Sequence, residues 1–369
     1  MKRIVSIIFC FCVLTSMLFS GTAIVFADEI DKNNLSISAQ AYVLMEADTG
    51  KIMLEHNMDN RMPMASTTKI MTALLALEYH DIDKPFTVDS DAIHVEGSSM
   101  GLVEGDVVTL RALSYGMLLE SGNDAANATA YALAGDIDSF ALMMNEKANE
   151  LGMTNSSFRT PSGLDAENHY STAYDMALLT RAALSNEDFL NICSTERASV
   201  SFGNPPYDRW MKNHNKLLAG YEGCIGVKTG FTKKAGRCLV SAAERDGMKL
   251  ICVTLNAPND WDDHIAMLDY GFENFFKINI APQIDSFRVP VTGGEESSVQ
   301  LYSDENAESF VVTKEEKKSF KQVVNLPRFL FAPVEKGERI GEIDYYLDGQ
   351  IIYSFPLYVK NDIIYKTRK

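Results

Sequence analysis

Cysteine is scarce in this chain, six residues in 369. That excludes a small domain stapled by disulfides. Basic residues are also short, 34 Lys and Arg against 50 Asp and Glu, for a formal charge of −16. A surface of that sign repels phosphate backbones, so no nucleic-acid partner is expected. Only one long apolar run occurs, at the N-terminus, which excludes a polytopic membrane protein. The histidines, His56, His80, His94, His169, His214 and His264, show no paired zinc spacing, which argues against a metallopeptidase. The remainder is ordinary: 46% apolar and 23% charged residues, a globular composition on a length of about two domains.

The N-terminal run has the layout of a secretory signal peptide. Lys2 and Arg3 precede an apolar stretch from Ile4 to about Phe19, and Val25-Phe26-Ala27 offers small residues at two cleavage-determining positions before Asp28. Cleavage over 1–27 is expected, and with it export. The alternative is an uncleaved anchor, because apolar and small residues continue to Phe26. Cys10 and Cys12 would leave with the signal. Cys193, Cys224, Cys238 and Cys252 read as buried apolar thiols, although four thiols allow up to two bridges.

The remaining chain changes texture twice. Residues 39–57 read as a hairpin around Asp48-Thr49-Gly50. Ile70, Met71, Leu74, Leu75 and Leu77 recur at helical spacing within Ser66–Tyr79. Helical runs follow at Leu110–Leu119, Ala125–Leu133 and Ser139–Leu151, the last stopped by Gly152. Thr172 with Asp175 three residues on predicts a capping-box start for a helix through Leu184. Cys238–Ser241 and Leu250–Leu255 flank Arg245-Asp246-Gly247 and predict the central hairpin of an antiparallel sheet. Ile265–Phe276 reads as helix again. After Pro282, short alternating runs and the hairpin signal at Glu342–Tyr353 predict a small all-β module over 282–369. The expectation is an α+β protein with a helical block between strands at 28–281, then the β domain.

Three short motifs carry chemistry. Ser66-Thr67-Thr68-Lys69 stands at a helix start, where three-residue spacing puts hydroxyl and amine on one face. A hydroxyl beside an uncharged amine is a nucleophile with its own base, and burial or a second cation lowers a lysine pKa toward that state. The apolar neighbours Met64, Ala65, Ile70 and Met71 favour a buried Lys69. Ser121-Gly122-Asn123 joins two helical runs; its hydroxyl and amide suit proton transfer and substrate binding. The plainer reading of that turn is helix capping. Lys228-Thr229-Gly230 follows apolar Ile225 and Val227. On a strand edge, its cation, hydroxyl and bare glycine suit an extended peptide ending in a carboxylate.

Together and in this order the motifs resemble those of the penicillin-binding proteins and serine β-lactamases. Glycine in the middle of the second narrows the resemblance to the low-molecular-mass D-alanyl-D-alanine carboxypeptidases, the S11 peptidases. So do Thr160–Asp165, His169–Ala177 and Gly226–Thr232, and the likeness spans about residues 35–278. It implies a penicillin-binding, β-lactamase-like transpeptidase fold followed by the family's C-terminal β domain. It implies Ser66 as the acylated serine, Lys69 as its base and Ser121 as a proton shuttle. Asn123, Lys228, Thr229 and Gly230 would bind substrate, and the N–H groups of Ser66 and Phe231 would hold the oxyanion. The substrate implied is a peptidoglycan stem peptide ending in D-Ala-D-Ala, with β-lactams as covalent inhibitors and no metal or cofactor. The location implied is the outer or wall face of a bacterial membrane.

The chain departs from the family in two places. Arginines often found near the carboxylate site are absent: those regions read Asn213-His214-Asn215 and Asp260-Trp261-Asp262. Also, Tyr365–Lys369 shows no amphipathic face, so no clear C-terminal membrane anchor is expected. Two other functions use similar residues. A serine β-lactamase needs a deacylating glutamate, and Glu187-Asp188-Phe189-Leu190-Asn191 resembles such a segment, but it lies far downstream of Ser121 and reads as a helix start at Asn186. A non-catalytic β-lactam-sensing or wall-binding module would not need Ser66, Lys69, Ser121 and Lys228 intact.

Overall fold

A computed structural model describes residues 35–281, 284 and 287–367. The expected signal peptide, Pro282 and Arg368-Lys369 lie outside the described residues. The first strands among the described residues form the expected hairpin, β1 (Ala41–Glu46) and β2 (Ile52–His56). Buried Glu46 closes its turn by accepting from the N and Oγ1 of Thr49, each at 2.7 Å. A 3₁₀ turn, Ala65–Thr68, runs directly into α1 (Lys69–Leu77). Short β3 (Phe86–Thr87), α2 (Ser90–Ile93) and β4 (Val107–Val108) lead to the helical block. That block comprises α3 (Leu110–Leu118), α4 (Asn123–Ala134), α5 (Ile137–Glu150), α6 (Ala173–Leu184) and α7 (Glu187–Cys193).

Half of the expected capping box forms at α6. The Thr172 hydroxyl accepts from Asp175 N at 3.0 Å. The Asp175 carboxylate, however, accepts from Asn155 N and Ser156 Oγ on a neighbouring loop. A long-range partner replaces the local reciprocal bond.

A ribbon of β5 (Arg197–Gly203) and β6 (Pro206–Lys212) and the turn α8 (Leu217–Gly220) precede the remaining sheet strands. These are β7 (Cys224–Thr232), β8 (Gly236–Arg245) and β9 (Met248–Leu255). The five-stranded sheet has the order β2-β1-β9-β8-β7, with every pairing antiparallel. β9 is central, and its near-continuous apolar run is buried on both faces. β7 lies at the edge, so the third motif stands on a strand with one free side. On one face Val43, Val240 and Val253 join Ile70, Leu113 and Phe189 in a single core.

α9 (Asp260–Asn274) starts five residues earlier than the periodicity predicts. Asp260, Asp262 and Asp263 in its first turn complement the helix dipole. It also ends earlier: Phe275 and Phe276 open β10 (Phe275–Ile280). β10 pairs with β13 (Glu308–Thr313), where Phe276 meets Val312. A local window cannot see a partner so far along the chain. The strand therefore lies ahead of the expected junction at 282 yet pairs with the β module.

The module's main sheet has six strands. It contains β11 (Arg288–Thr292), β12 (Ser298–Tyr302), β14 (Lys321–Asn325), β15 (Leu330–Phe331), β16 (Arg339–Leu347) and β17 (Gln350–Val359). Val289, Leu301, Ile343, Phe355 and Leu357 form its own core. The single turn α10 (Lys314–Ser319) carries a complete capping box, Thr313 with Glu316. Two lysines tie the module to the sheet domain. Lys51 Nζ donates to Val311 O at 2.7 Å, and Lys277 pairs with Asp48 and, at 3.6 Å, with Glu46.

Cys193, Cys238 and Cys252 are buried and unbridged, and Cys224 is a half-buried free thiol. His264 is fully buried on α9 and bridges Ser241 Oγ at 2.6 Å and Thr254 Oγ1 at 2.9 Å. Burial holds its pKa down at about 3. A base depressed in the fold favours the folded state above its unfolded pKa of about 6.5 and loses that contribution as pH falls toward 3. Lowering the pH from 7 to 4.5 should therefore remove about 2–3 kcal/mol through this residue. Urea titrations at both pH values should show His264→Gln losing that share of the acid sensitivity.

Candidate active site

Ser66 is half-buried in the turn ahead of α1. The turn is tight: Ala65 adopts φ +48°, and Met64 O accepts from Thr67 N at 3.2 Å and Thr67 Oγ1 at 2.6 Å. One helical turn on, Lys69 is completely buried. Its Nζ lies 3.0 Å from Ser66 Oγ, 2.7 Å from Asn123 Oδ1 and 2.7 Å from Ser162 O. Burial pushes its pKa well below the ordinary lysine value; Lys228 pushes the same way, and Asp124 opposes. A neutral amine has two N–H groups and one lone pair. The two fixed acceptors, Asn123 Oδ1 and Ser162 O, take the N–H groups. The lone pair is left facing the Ser66 hydroxyl.

Ser162 O reaches Lys69 because Gly163 packs against the Ser66 turn. Gly163 has φ +84°, and a Cβ there would lie 1.9 Å from Ala65 O. Beneath the same turn, Thr68 Oγ1 meets His169 Nε2 at 3.0 Å, and His169 Nδ1 accepts from Arg159 N at 2.9 Å. Nδ1 is thus the acceptor nitrogen and Nε2 donates. Burial lowers the His169 pKa to about 4, so the ring is a neutral strut at pH 7.

The second motif divides its residues between two places. Ser121, at φ +61°, lines the cleft. Asn123 stands behind Lys69: its Oδ1 accepts from Lys69 and its Nδ2 donates to Glu96 O at 2.7 Å. Next to it, Asp124 organises the facing loop by accepting from Ser99 Oγ and from the N–H groups of Met100, Gly101 and Leu102. That loop brings Ser98 to the cleft wall.

The third motif lies on β7, against the Ser66 turn. A Cβ on Gly230 would sit 3.0 Å from Ser66 N and 3.1 Å from both Met64 O and Thr67 N. The backbone that glycine admits is thus the protein's own. Thr229, Gly230 and Phe231 line the cleft, whereas Lys228 is beneath it, 1% exposed, with Nζ donating to Thr229 O at 2.9 Å. Burial lowers the Lys228 pKa to about 7.

The cleft has a volume of about 370 Å³. Both segments where arginines were missing line it, through His214, Asp260 and Trp261. Burial and Lys228 lower the His214 pKa, which makes it a neutral hydrogen-bonding group rather than a cation. A guanidinium is nevertheless present. Arg237 on β8 lines the cleft and pairs with Asp260 at 2.8 Å. Sequence reasoning passed over it because it lies beyond the motif. Counting across the β7–β8 turn would have found it, since Arg237 is the cross-strand partner of Phe231. Lys216 also joins the wall. Glu187 is exposed at the first turn of α7 and does not line the cleft.

These values set a pH profile. If Lys69 is the group that accepts the Ser66 proton it must be neutral, and activity is then expected to rise with pH from well below the usual lysine range. If Lys228 attracts a substrate carboxylate it must be charged, and that attraction then fades as pH rises through about 7. The kcat/KM for an acid-ended peptide should be bell-shaped with its alkaline limb near 7, because that ratio reports the free enzyme. An amide-ended peptide should lose the alkaline limb. Identical profiles for the two peptides would separate Lys228 from carboxylate binding.

Comparison with known proteins agrees with the motifs. Residues 28–259 match a family described as D-alanyl-D-alanine carboxypeptidase, peptidase S11. Residues 283–364 match one described as the C-terminal domain of penicillin-binding protein 5. The chain is similar to D-alanyl-D-alanine carboxypeptidase DacF of Bacillus subtilis, at 31% identity covering 98% of this chain and 95% of the relative. It is similar to DacC of Escherichia coli, at 35% identity covering 94% and 89%. Penicillin-binding protein 5 from Haemophilus influenzae superposes with a TM-score of 0.69 at 31% identity, covering 89% of this chain and 98% of that one.

Proposed function

The chain belongs to the S11 family of D-alanyl-D-alanine carboxypeptidases, and we propose that Ser66 is the residue on which its acyl-enzyme forms. As a member it is a serine-type hydrolase that binds penicillin, which sets aside both the β-lactamase and the non-catalytic readings. The observation that carries the assignment is the Lys69 amine, buried and 3.0 Å from Ser66 Oγ, with two other acceptors already holding its protons.

The geometry supports the following course of reaction. The substrate's terminal carboxylate lies at the Thr229 end of the cleft, drawn by Lys228 beneath and by Arg237 and Lys216 on the wall. His214 donates a hydrogen bond there. The penultimate carbonyl oxygen lies between the N–H groups of Ser66 and Phe231, which stabilise the negative charge that develops. Lys69 takes the Ser66 proton as Oγ attacks. Ser121 passes a proton to the departing amine of D-Ala, and water then releases the shortened peptide. Asn123 acts here chiefly through Lys69, by fixing one of its N–H groups.

The substrates are peptidoglycan stem peptides ending in D-Ala-D-Ala, and β-lactams are covalent inhibitors because they leave a stable ester on Ser66. Catalysis belongs to residues 28–281 and the β domain, 282–369, serves as a docking unit. Export through cleavage of 1–27 would place both at the wall. No helix among the described residues is long and apolar enough to cross a membrane.

Mass spectrometry of stem peptides after incubation should show pentapeptide converted to tetrapeptide. Amidation of the terminal carboxyl should slow turnover by about 10–100-fold, the usual worth of one or two charged hydrogen bonds. Equal turnover of acid and amide ends would remove the carboxylate assignment.

A further inference from the structure

Asp124 follows Asn123 at the start of α4 and is 2% exposed. Five donors hold its carboxylate. Oδ1 accepts from Met100 N and Ala125 N, each at 2.9 Å. Oδ2 accepts from Ser99 Oγ at 2.6 Å, Leu102 N at 3.0 Å and Gly101 N at 3.1 Å. Every partner is a donor, which suits an ionised carboxylate. Every partner is also neutral, so the oxygens are satisfied while the charge is not cancelled. A buried charge without an opposite one is costly, and a cation elsewhere must answer it.

That cation is within reach through Lys69. Asn123 Oδ1 accepts from Lys69 Nζ at 2.7 Å, and the negative charge on the next residue opposes the burial and the Lys228 cation that keep the amine neutral. Lys228 on β7 and Asp124 on α4 are the charges that act on Lys69 from the elements packed around it. His169, beneath the Ser66 turn, is neutral at pH 7. Arg209 of β6 stands on the far side of the loop, bonded to Gly101 O at 2.6 Å and paired with Asp106.

A neutral Lys69 gains little from an anion, but acylation changes its charge. The Ser66 Oγ–H bond breaks as Oγ bonds to the acyl carbon, the proton joins the Lys69 lone pair, and the carbonyl π pair moves onto its oxygen. The amine becomes an ammonium at a fully buried position. Asn123 Oδ1 and Ser162 O hold two of its three N–H groups, yet neutral acceptors leave its charge standing. An anion offsets it, and does so only in the charged state, which is where stabilisation raises the rate. We propose that Asp124 is the counter-ion of this step, a positioning residue that acts through Lys69 and stabilises the ammonium formed as Ser66 is activated. The proposal rests on reading Lys69 as the acceptor of the Ser66 proton. Asp124 itself touches no reacting atom.

The test is the rate of penicillin acylation of the full-length enzyme across the pH range in which it stays folded. Asp124→Asn removes the charge at nearly constant shape. Its acid limb should move down by about one pH unit, the lower end for a lost charge partner. Its plateau should fall by about three- to tenfold, because a weaker base takes the proton less readily. The two effects oppose each other, so the variant and the wild type should converge at low pH and separate toward neutrality. Asp124→Glu keeps the charge and should leave the limb in its wild-type place. Ser99→Ala removes one bond to the loop and no charge, so it too should leave the limb unmoved. If Asp124→Asn is too unstable to assay, Asp124→Ser puts a neutral acceptor at the same place and is judged by the same limb. A neutral variant whose profile falls in parallel with the wild type, limb unmoved, would reduce Asp124 to a holder of the loop and overturn the proposal. Acylation of Lys69→Ala at the wild-type rate would instead overturn the reading of Lys69 beneath it.

Discussion

Ser66→Ala should abolish covalent labelling by penicillin and lower peptide turnover by about 10⁴-fold or more, the scale seen when a serine hydrolase loses its nucleophile. The substitution removes one oxygen from a half-buried position. Lys69 keeps Asn123 Oδ1 and Ser162 O, each at 2.7 Å, so its two N–H groups stay satisfied. The turn also survives, because the bonds that shape it come from Thr67 to Met64 O and from His169 to Thr68. The variant should therefore unfold at an unchanged urea midpoint while intact-protein mass spectrometry finds no penicillin adduct. An adduct on the variant would place the nucleophile elsewhere.

Gly163→Ala should slow acylation by about 100-fold or more, because misplacing a reacting group by an ångström costs on that order. The new Cβ would lie 1.9 Å from Ala65 O, 2.5 Å from Ala65 C and 2.8 Å from Thr68 Oγ1. Two of these three contacts are backbone, which cannot swing aside as a long side chain can. Either the Ser66 turn retreats or the 160–165 segment does, and the segment carries Ser162 O away from Lys69. A left-handed alanine adds backbone strain of about 1–2 kcal/mol. Gly152→Ala is the matched control: it too has positive φ, +76°, but nothing lies within 4 Å of its added Cβ. Equal acylation by the two variants would mean that the turn tolerates displacement.

The pairing of Ser66 with Lys69 was legible because helical spacing and apolar neighbours are local properties. The Lys228 strand was legible for the same reason, and so was the hairpin of β8 and β9. What stayed hidden was contributed by partners distant in sequence. Arg237 enters the cleft only because β8 pairs back on β7. Asp124 looks like one more acid in a helix start, yet it holds the Ser98 loop through bonds spanning 22–25 residues. Asn123 shares a motif with Ser121, but a residue at a helix start can face inward while its neighbour faces the cleft. Phe275 and Phe276 read as the end of a helix because they continue the apolar run of α9, and only the pairing of β10 with β13 separates them.

α9 connects two sites that are otherwise unrelated. It runs uninterrupted for 15 residues, about 22 Å of rigid rod. Its first turn holds Asp260 and Trp261 at the rim of the cleft, and its last residue passes directly into β10, which is zipped to β13 along six residue pairs. A pull on the β domain along that strand loads the zipper in shear, with all its pairs resisting together instead of opening one at a time. The cleft rim and the β domain are thus the two ends of one unbroken helix-and-strand segment, so a load on either end is carried to the other by covalent bonds and a hydrogen-bonded rod.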